Sequence, residues 1–285
     1  MNGTSSSARQ GIVMILAGAA FLSVSDAIAK WLGDFYTPAQ LLFLRGLIAA
    51  PALAGVIVWT QGLDGLRTRN GGLHVFRGLA NVVTASIFYA GLAKVPLAAA
   101  TAVAYSAPLF VTVLSVVLLR EYVGWVRWTS VIAGFAGVLV IVRPDSGGFE
   151  WAYAYPLAAA LGYAILMVSA RWIDDGEGML TTMFYIALGQ IVFAGVTMPW
   201  LWTGVELSHA PALAALALCS ALGLGLITQA FRHAPASLIA PLDYSGLIWA
   251  AAIGWLFWRE AFNASFFLGA ALIVASGTAV MLRKD

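Results

Sequence analysis

Residues 107–144 read APLFVTVLSVVLLREYVGWVRWTSVIAGFAGVLVIVRP. Two apolar runs meet at a short turn that carries Arg120 and Glu121. Crossing a ~30 Å hydrocarbon core takes about 20 mostly apolar residues in a helix. The stretch therefore reads as one membrane helix ending and the next beginning. Sliding the chain on itself by 139 residues finds a second copy. Pro96 then meets Pro235, Tyr105 meets Tyr244, Ser106 meets Ser245, Arg120 meets Arg259 and Glu121 meets Glu260. The apolar blocks around these pairs coincide without a gap.

Working outward, ten apolar segments are expected to span: 11–32, 38–59, 74–93, 97–119, 125–142, 151–172, 179–202, 210–230, 235–257 and 262–282. The organisation that follows is a tail over 1–10, a five-helix repeat over 11–145 and a second over 146–285. Because five is odd, the two copies enter the membrane from opposite sides and are inverted. An inverted pair places a binding site near the midplane, where the halves meet, and suits alternating access. The expected fold is thus an all-α membrane protein of ten transmembrane helices, two inverted five-helix repeats around a central cavity.

Composition agrees. Of 285 residues, 61% are hydrophobic and 10% charged. A soluble domain carries roughly 25% charged residues. The net charge of +2 is spread along the chain, which argues against nucleic acid as a partner. The lone cysteine, Cys219, excludes intramolecular disulfides and multi-cysteine metal sites. With the N-terminus inside, the inner loops hold Arg9, Arg67, Arg69, Arg77, Arg120, Arg127, Arg171, Arg232, Arg283 and Lys284, and the outer loops hold Lys94, Arg143 and Arg259. That bias puts both termini in the cytoplasm.

Residues 107–144 also resemble the drug/metabolite transporter superfamily, in its EamA branch. Pro108, Glu121, Trp128, Gly134 and Gly137 stand where that family has a proline, a glutamate in a short turn, an aromatic and a glycine-rich helix. Arg45 in LLFLRGLIAA fits as well. The second copy keeps Arg259, Glu260 and Phe267, and departs at Leu247, Ile273 and Ser276. The resemblance implies a cavity lined by helices 1–4 and 6–9, and export of metabolites. Exporters of aromatic and other neutral amino acids look most similar. Relatives that exchange phosphorylated or nucleotide sugars supply the alternative, which needs midplane Lys or Arg for phosphate.

Ionisable groups inside a membrane are costly and are functional candidates. Asp26 and Lys30, four apart on one helical face, and Arg45 either bind a substrate or coupling proton or neutralise one another. Lys30 has the further option of snorkelling to the surface. Asp243 follows Pro241 and either contacts substrate or accepts from freed backbone amides. Tyr105 and Tyr244 each lie ~14 Å deep at 1.5 Å per residue, and either line the site or pack. Asn81, Thr84 and Phe88 share a face of helix 3, and Tyr163 and Met167 share one of helix 6; each stripe lines a cavity or glues helices. Pro108 and Pro241 are expected kinks or hinges. Glu121 and Glu260 are expected to bond helix starts or pair locally.

Catalytic and phosphate-cradling motifs are lacking, and His74, His209 and His233 fall near membrane surfaces as solvated or interfacial residues. The expectation is a transporter and not an enzyme, without cofactor or metal. Its partners are a small-molecule substrate and the lipid bilayer of a bacterial cytoplasmic membrane, and a monomer is expected.

Overall fold

A computed structural model describes residues 2–120, 124–142, 151–172, 177–234, 239 and 242–282. Among them there is no strand. The helices are α1 (Asn2–Leu32), α2 (Pro38–Gln61), α3 (Gly71–Leu92), α4 (Leu97–Ala104), α5 (Ala107–Leu119), α6 (Trp125–Val142), α7 (Ala154–Ser169), α8 (Met179–Gly189), α9 (Met198–Leu201), α10 (Ala210–His233), α11 (Ser245–Trp258) and α12 (Ala264–Leu282). Six apolar stretches among the described residues are long enough to cross a membrane, including Leu97–Leu118 across the α4–α5 break. Four shorter apolar helices accompany them: Trp128–Val142, Met179–Ala194, Ser245–Trp258 and Ala264–Ala279. The exterior is apolar, with Trp59, Trp125, Trp151 and Trp200 each at least 75% exposed. Such an exterior belongs in lipid, and tryptophans at helix ends suit the membrane interface. The protein is integral to a membrane.

Local sequence explains several boundaries. Thr37 caps α2, its hydroxyl accepting from the Gln40 amide, with Pro38 in the first turn where a missing N–H costs nothing. Segment 97–119 breaks at Tyr105 and Ser106, and Pro108 sits in the first turn of α5 rather than at a mid-helix kink. Pro241, the other expected hinge, and Glu121 and Pro235 lie outside the described residues. A π turn over Gln190–Ala194 continues α8. Such turns are frequent at functional sites.

Two pairs of residues 139 apart share a backbone conformation. Tyr105 and Tyr244 take nearly the same conformation, φ −67 and ψ −2 against φ −63 and ψ −7. Arg120 and Arg259 end α5 and α11 in the left-handed region, at φ 55 and φ 53. No other described non-glycine residue has positive φ. A non-glycine residue in this region is uncommon, and here the two stand 139 residues apart.

Packing follows the same exchange. α1 lies on α10 and α11, while α7 lies on α3 and on α4 and α5. α2 contacts α10, and α8 contacts α3. The pairs α2 with α8, α4 with α11 and α6 with α12 each map onto themselves. Swapping the chain's halves thus maps these contacts onto one another. Close crossings need bare backbone. A Cβ on Gly137 would stand 2.8 Å from the Gly269 carbonyl oxygen, and Gly162 leaves room for Thr84. Thr84 is therefore packing between α3 and α7 rather than cavity wall.

Candidate functional site

Two cavities adjoin inside the bundle. The first, about 330 Å³, lies among α1, α3, α4, α5, α7 and the approach to α11. Phe88, Tyr105, Pro108, Tyr163, Met167, Asp243 and Tyr244 line it, together with Asp26. Met167 stands at its rim, 55% exposed. The second, about 280 Å³, lies between α1, α2, α3, α8 and α10 and takes in Arg45, Asn81, Tyr89 and Gln190. Asp26 and Tyr163 face both. The sizes are at the lower end of small-molecule sites.

Tyr105 and Tyr244 meet, ring centroids 5.0 Å apart and planes inclined by 54°. Their hydroxyls are turned away from the space. Tyr105 Oη donates to the Asp243 carbonyl at 2.9 Å, above Gly246. Tyr244 Oη is buried against Gly277, with no hydrogen-bond partner among the described residues. The pair therefore offers ring surface to the cavity, not hydroxyls. Phe88 meets Tyr163 edge to face at 6.3 Å.

The carboxylates of Asp26 and Asp243 are the distinctive feature. Among the described residues no donor lies within hydrogen-bond distance of either, and no cation lies within 4.0 Å. Neither is sealed in protein, since both face the cavity. An acidic side chain inside a membrane without a protein partner is a candidate to bind a cation or a proton.

Lys30 does not join them. Its ammonium lies 2.8 Å from Glu260 Oε1, donates to the Val95 carbonyl at 2.8 Å, and sits 5.4 Å from the centre of the Trp258 ring. It neither pairs with Asp26 nor snorkels, its side chain being 12% exposed. Glu260 also accepts from the Leu97 amide through both oxygens, at 2.9 Å each, so it bonds the start of α4. Arg45 shares the second cavity with Asp26 but forms no ion pair with it within 4.0 Å. Its Nη1 donates to Tyr89 Oη at 2.8 Å and its Nε to Gln190 Oε1 at 3.3 Å. Gln190 is fixed in turn by donating to Asn81 Oδ1 at 2.8 Å.

Two contacts were not expected from sequence. His74, at the start of α3, pairs with Glu177, which also accepts from Thr68 at 2.6 Å and Asn70 at 3.0 Å. His209, just before α10, shares a hydrogen bond with Tyr36 Oη at 2.8 Å. Both histidines are buried, 3% and 8% exposed, not solvated. Each ties one half of the chain to the other. The signal available in sequence was their matching position at the head of the third long segment of each half.

Burial alone would raise the Glu177 carboxyl, but hydrogen bonds from Thr68, Asn70 and His74, with the charge of His74, hold it below its ordinary 4.5. A depressed folded value gives stability that is present above 4.5 and lost as pH falls through the lower folded value. We expect the melting temperature of the purified protein to drop on acidification below pH 4.5, and Glu177→Gln to flatten part of that drop. A variant whose acid profile matched the parent's would show that this carboxylate is not held in the folded state.

Residues 9–143 match the EamA-like transporter family. An S-adenosylmethionine uptake transporter of Rickettsia prowazekii is 29% identical, over 93% of this chain and 90% of its own. A riboflavin transporter of Rhizobium johnstonii is 30% identical, over 94% and 89%. A pseudopaline exporter of Pseudomonas aeruginosa is 26% identical, over 97% of each. A crystal structure of a protein 18% identical superposes with a TM-score of 0.62, covering 98% of this chain and 97% of the other. The resemblance to exporters of aromatic amino acids is thus broadened: these relatives are described as carriers of other metabolites, in both directions.

Proposed function

The chain belongs to the EamA-like transporter family of the drug/metabolite transporter superfamily, and from that premise we propose that it carries small metabolites bearing an ammonium or sulfonium centre, amino acids among them, across a bacterial cytoplasmic membrane. The observation that carries this reading is the pair of partnerless carboxylates, Asp26 and Asp243, in a cavity walled by Phe88, Tyr105, Tyr163 and Tyr244. A cation is attracted both by the carboxylates and by the negative faces of the rings. S-adenosylmethionine, the named cargo of one relative, has both an ammonium and a sulfonium.

The mechanism we propose is alternating access by ten spans in two inverted repeats, 11–145 and 146–285, with both termini cytoplasmic. The exchange-symmetric packing and the paired Arg120 and Arg259 caps support it. The central cavity lies between the halves, where such carriers hold their substrate.

A second reading, exchange of phosphorylated sugars, draws on Arg45, a guanidinium facing a cavity without a carboxylate within 4.0 Å. Asp26 in the same cavity repels a phosphate dianion, so we rank it lower.

Counterflow in proteoliposomes tests the proposal. Vesicles preloaded with S-adenosylmethionine, neutral or basic amino acids, riboflavin or glucose 6-phosphate are offered the same compound labelled outside. Saturable accumulation confined to the cationic and zwitterionic compounds is the expected result. Accumulation of the sugar phosphate alone would establish the second reading.

A further inference from the structure

The cation site does not use Arg45, and its surroundings are built in a particular way. It lies on α2, half-buried in a segment long enough to span. A guanidinium has five N–H donors in a rigid plane. Two are held, by Tyr89 and Gln190, and both acceptors are neutral. The plane also leans on the Tyr89 ring, 5.9 Å from its centre. Gln190 is itself pinned by Asn81 and stands at the first position of the π turn. The guanidinium is therefore held at two nitrogens by Tyr89 and Gln190, with Asn81 behind Gln190, and its third nitrogen, Nη2, is left free. Arg45 lines the 280 Å³ cavity, and its remaining donors have no protein partner among the described residues.

A positive charge in a membrane is normally paired, because stripping its hydration without compensation is costly. Here the nearest candidate, Asp26, shares the cavity but stays beyond 4.0 Å. Positioning a charge with neutral groups while leaving Nη2 and a second hydrogen on Nη1 free is how a site for a visiting anion is made.

We propose that Arg45 is a carboxylate subsite, oriented by Gln190, Asn81 and Tyr89, and that the substrate is bipolar. This rests on the cation reading above. The two cavities share Asp26 and Tyr163, so one molecule can lay its cation among the aromatic rings and its carboxylate on Arg45. A planar carboxylate matches the guanidinium fork in two parallel hydrogen bonds. Asp26 lies between the poles and rejects a more highly charged anion. Amino-acid head groups meet these requirements, and neutral ring compounds do not.

The competing explanation is that Asp26 and Arg45 simply offset each other across the cavity. The two are separated by binding of S-adenosylmethionine and its decarboxylated form, which keeps both cations and lacks the carboxylate. Titration calorimetry on the purified full chain reads the affinities. The parent is expected to bind S-adenosylmethionine at least tenfold tighter than the decarboxylated form, equivalent to about 1.4 kcal/mol. Arg45→Gln should remove that preference while leaving affinity for the decarboxylated form within about threefold, which also shows that the variant is folded. Gln190→Leu, which keeps the charge and frees its orientation, should reduce the preference in the same direction. Equal binding of both compounds by the parent overturns the subsite and spares the cation site. So does an equal change for both in Arg45→Gln, the result that a mutual offset with Asp26 predicts. Failure of both compounds to bind overturns the cation site and the subsite with it.

Discussion

Glu260→Gln should lower the melting temperature of the purified protein by roughly 6 °C or more. The carboxylate is 7% exposed, takes the ammonium of Lys30 at 2.8 Å, and accepts from the first amide of α4. It ties three elements distant in sequence, α1, α4 and the segment after α11. The amide that replaces it can still accept from Leu97, so the helix start survives. What is lost is the counter-charge, and Lys30 is left 12% exposed with only the Val95 carbonyl and the Trp258 ring. Breaking a buried pair from one side costs about 3–5 kcal/mol. The double variant Lys30→Met with Glu260→Gln removes the stranded charge and should recover much of the loss. Thermal melts in detergent of parent, single and double variants give the answer. A single variant as stable as the parent would mean that Lys30 reaches water without Glu260.

The second large effect concerns Asp26. Asp26→Asn should weaken binding of a cationic substrate by about 30-fold or more, since removing one member of a desolvated charge pair costs roughly 2–5 kcal/mol. Asp243→Asn should act in the same direction, because the first cavity contains both carboxylates. Neither carboxylate holds protein together: among the described residues neither has a hydrogen-bond or ion-pair partner. The melting temperature should therefore stay near the parent's while affinity falls. That combination distinguishes a binding group from a structural one. Unchanged affinity in both variants, measured by calorimetry with S-adenosylmethionine, would remove the carboxylates from the site.

Much of the architecture was readable from composition and hydrophobic length alone. The expected segment 38–59 is α2 at Pro38–Gln61, and 125–142 is α6 with the same limits. Long apolar runs have few alternatives in lipid, because backbone groups must be satisfied within the segment. The interruptions were harder. Nothing local announces the π turn at Gln190 or the break at Tyr105, which depend on what packs alongside. The 139-residue register rests on a handful of identities, and one of its pairs, Arg120 and Arg259, shares the same rare backbone conformation.

Side-chain partnerships were the least legible. Helical spacing put Lys30 beside Asp26, yet Lys30 reaches Glu260, 230 positions away. Only the packed bundle reveals a carboxylate that can serve the lysine and a helix start together. The stripe Asn81, Thr84 and Phe88 has one face in sequence but three settings in space. Asn81 steadies Gln190 in one cavity, Phe88 walls the other, and Thr84 fills the gap over Gly162. The His74–Glu177 contact spans 103 positions and leaves no local pattern.

The most direct measurement is a cryo-electron microscopy map of the protein with the compound that counterflow selects. The expected result is ligand density bounded by Asp26, Tyr105, Tyr163, Asp243 and Tyr244, with its cationic end toward the carboxylates. Density confined to the apolar groove of Val24, Ile28, Trp31 and Phe257 between α1 and α11, with the central cavity unoccupied, would contradict it.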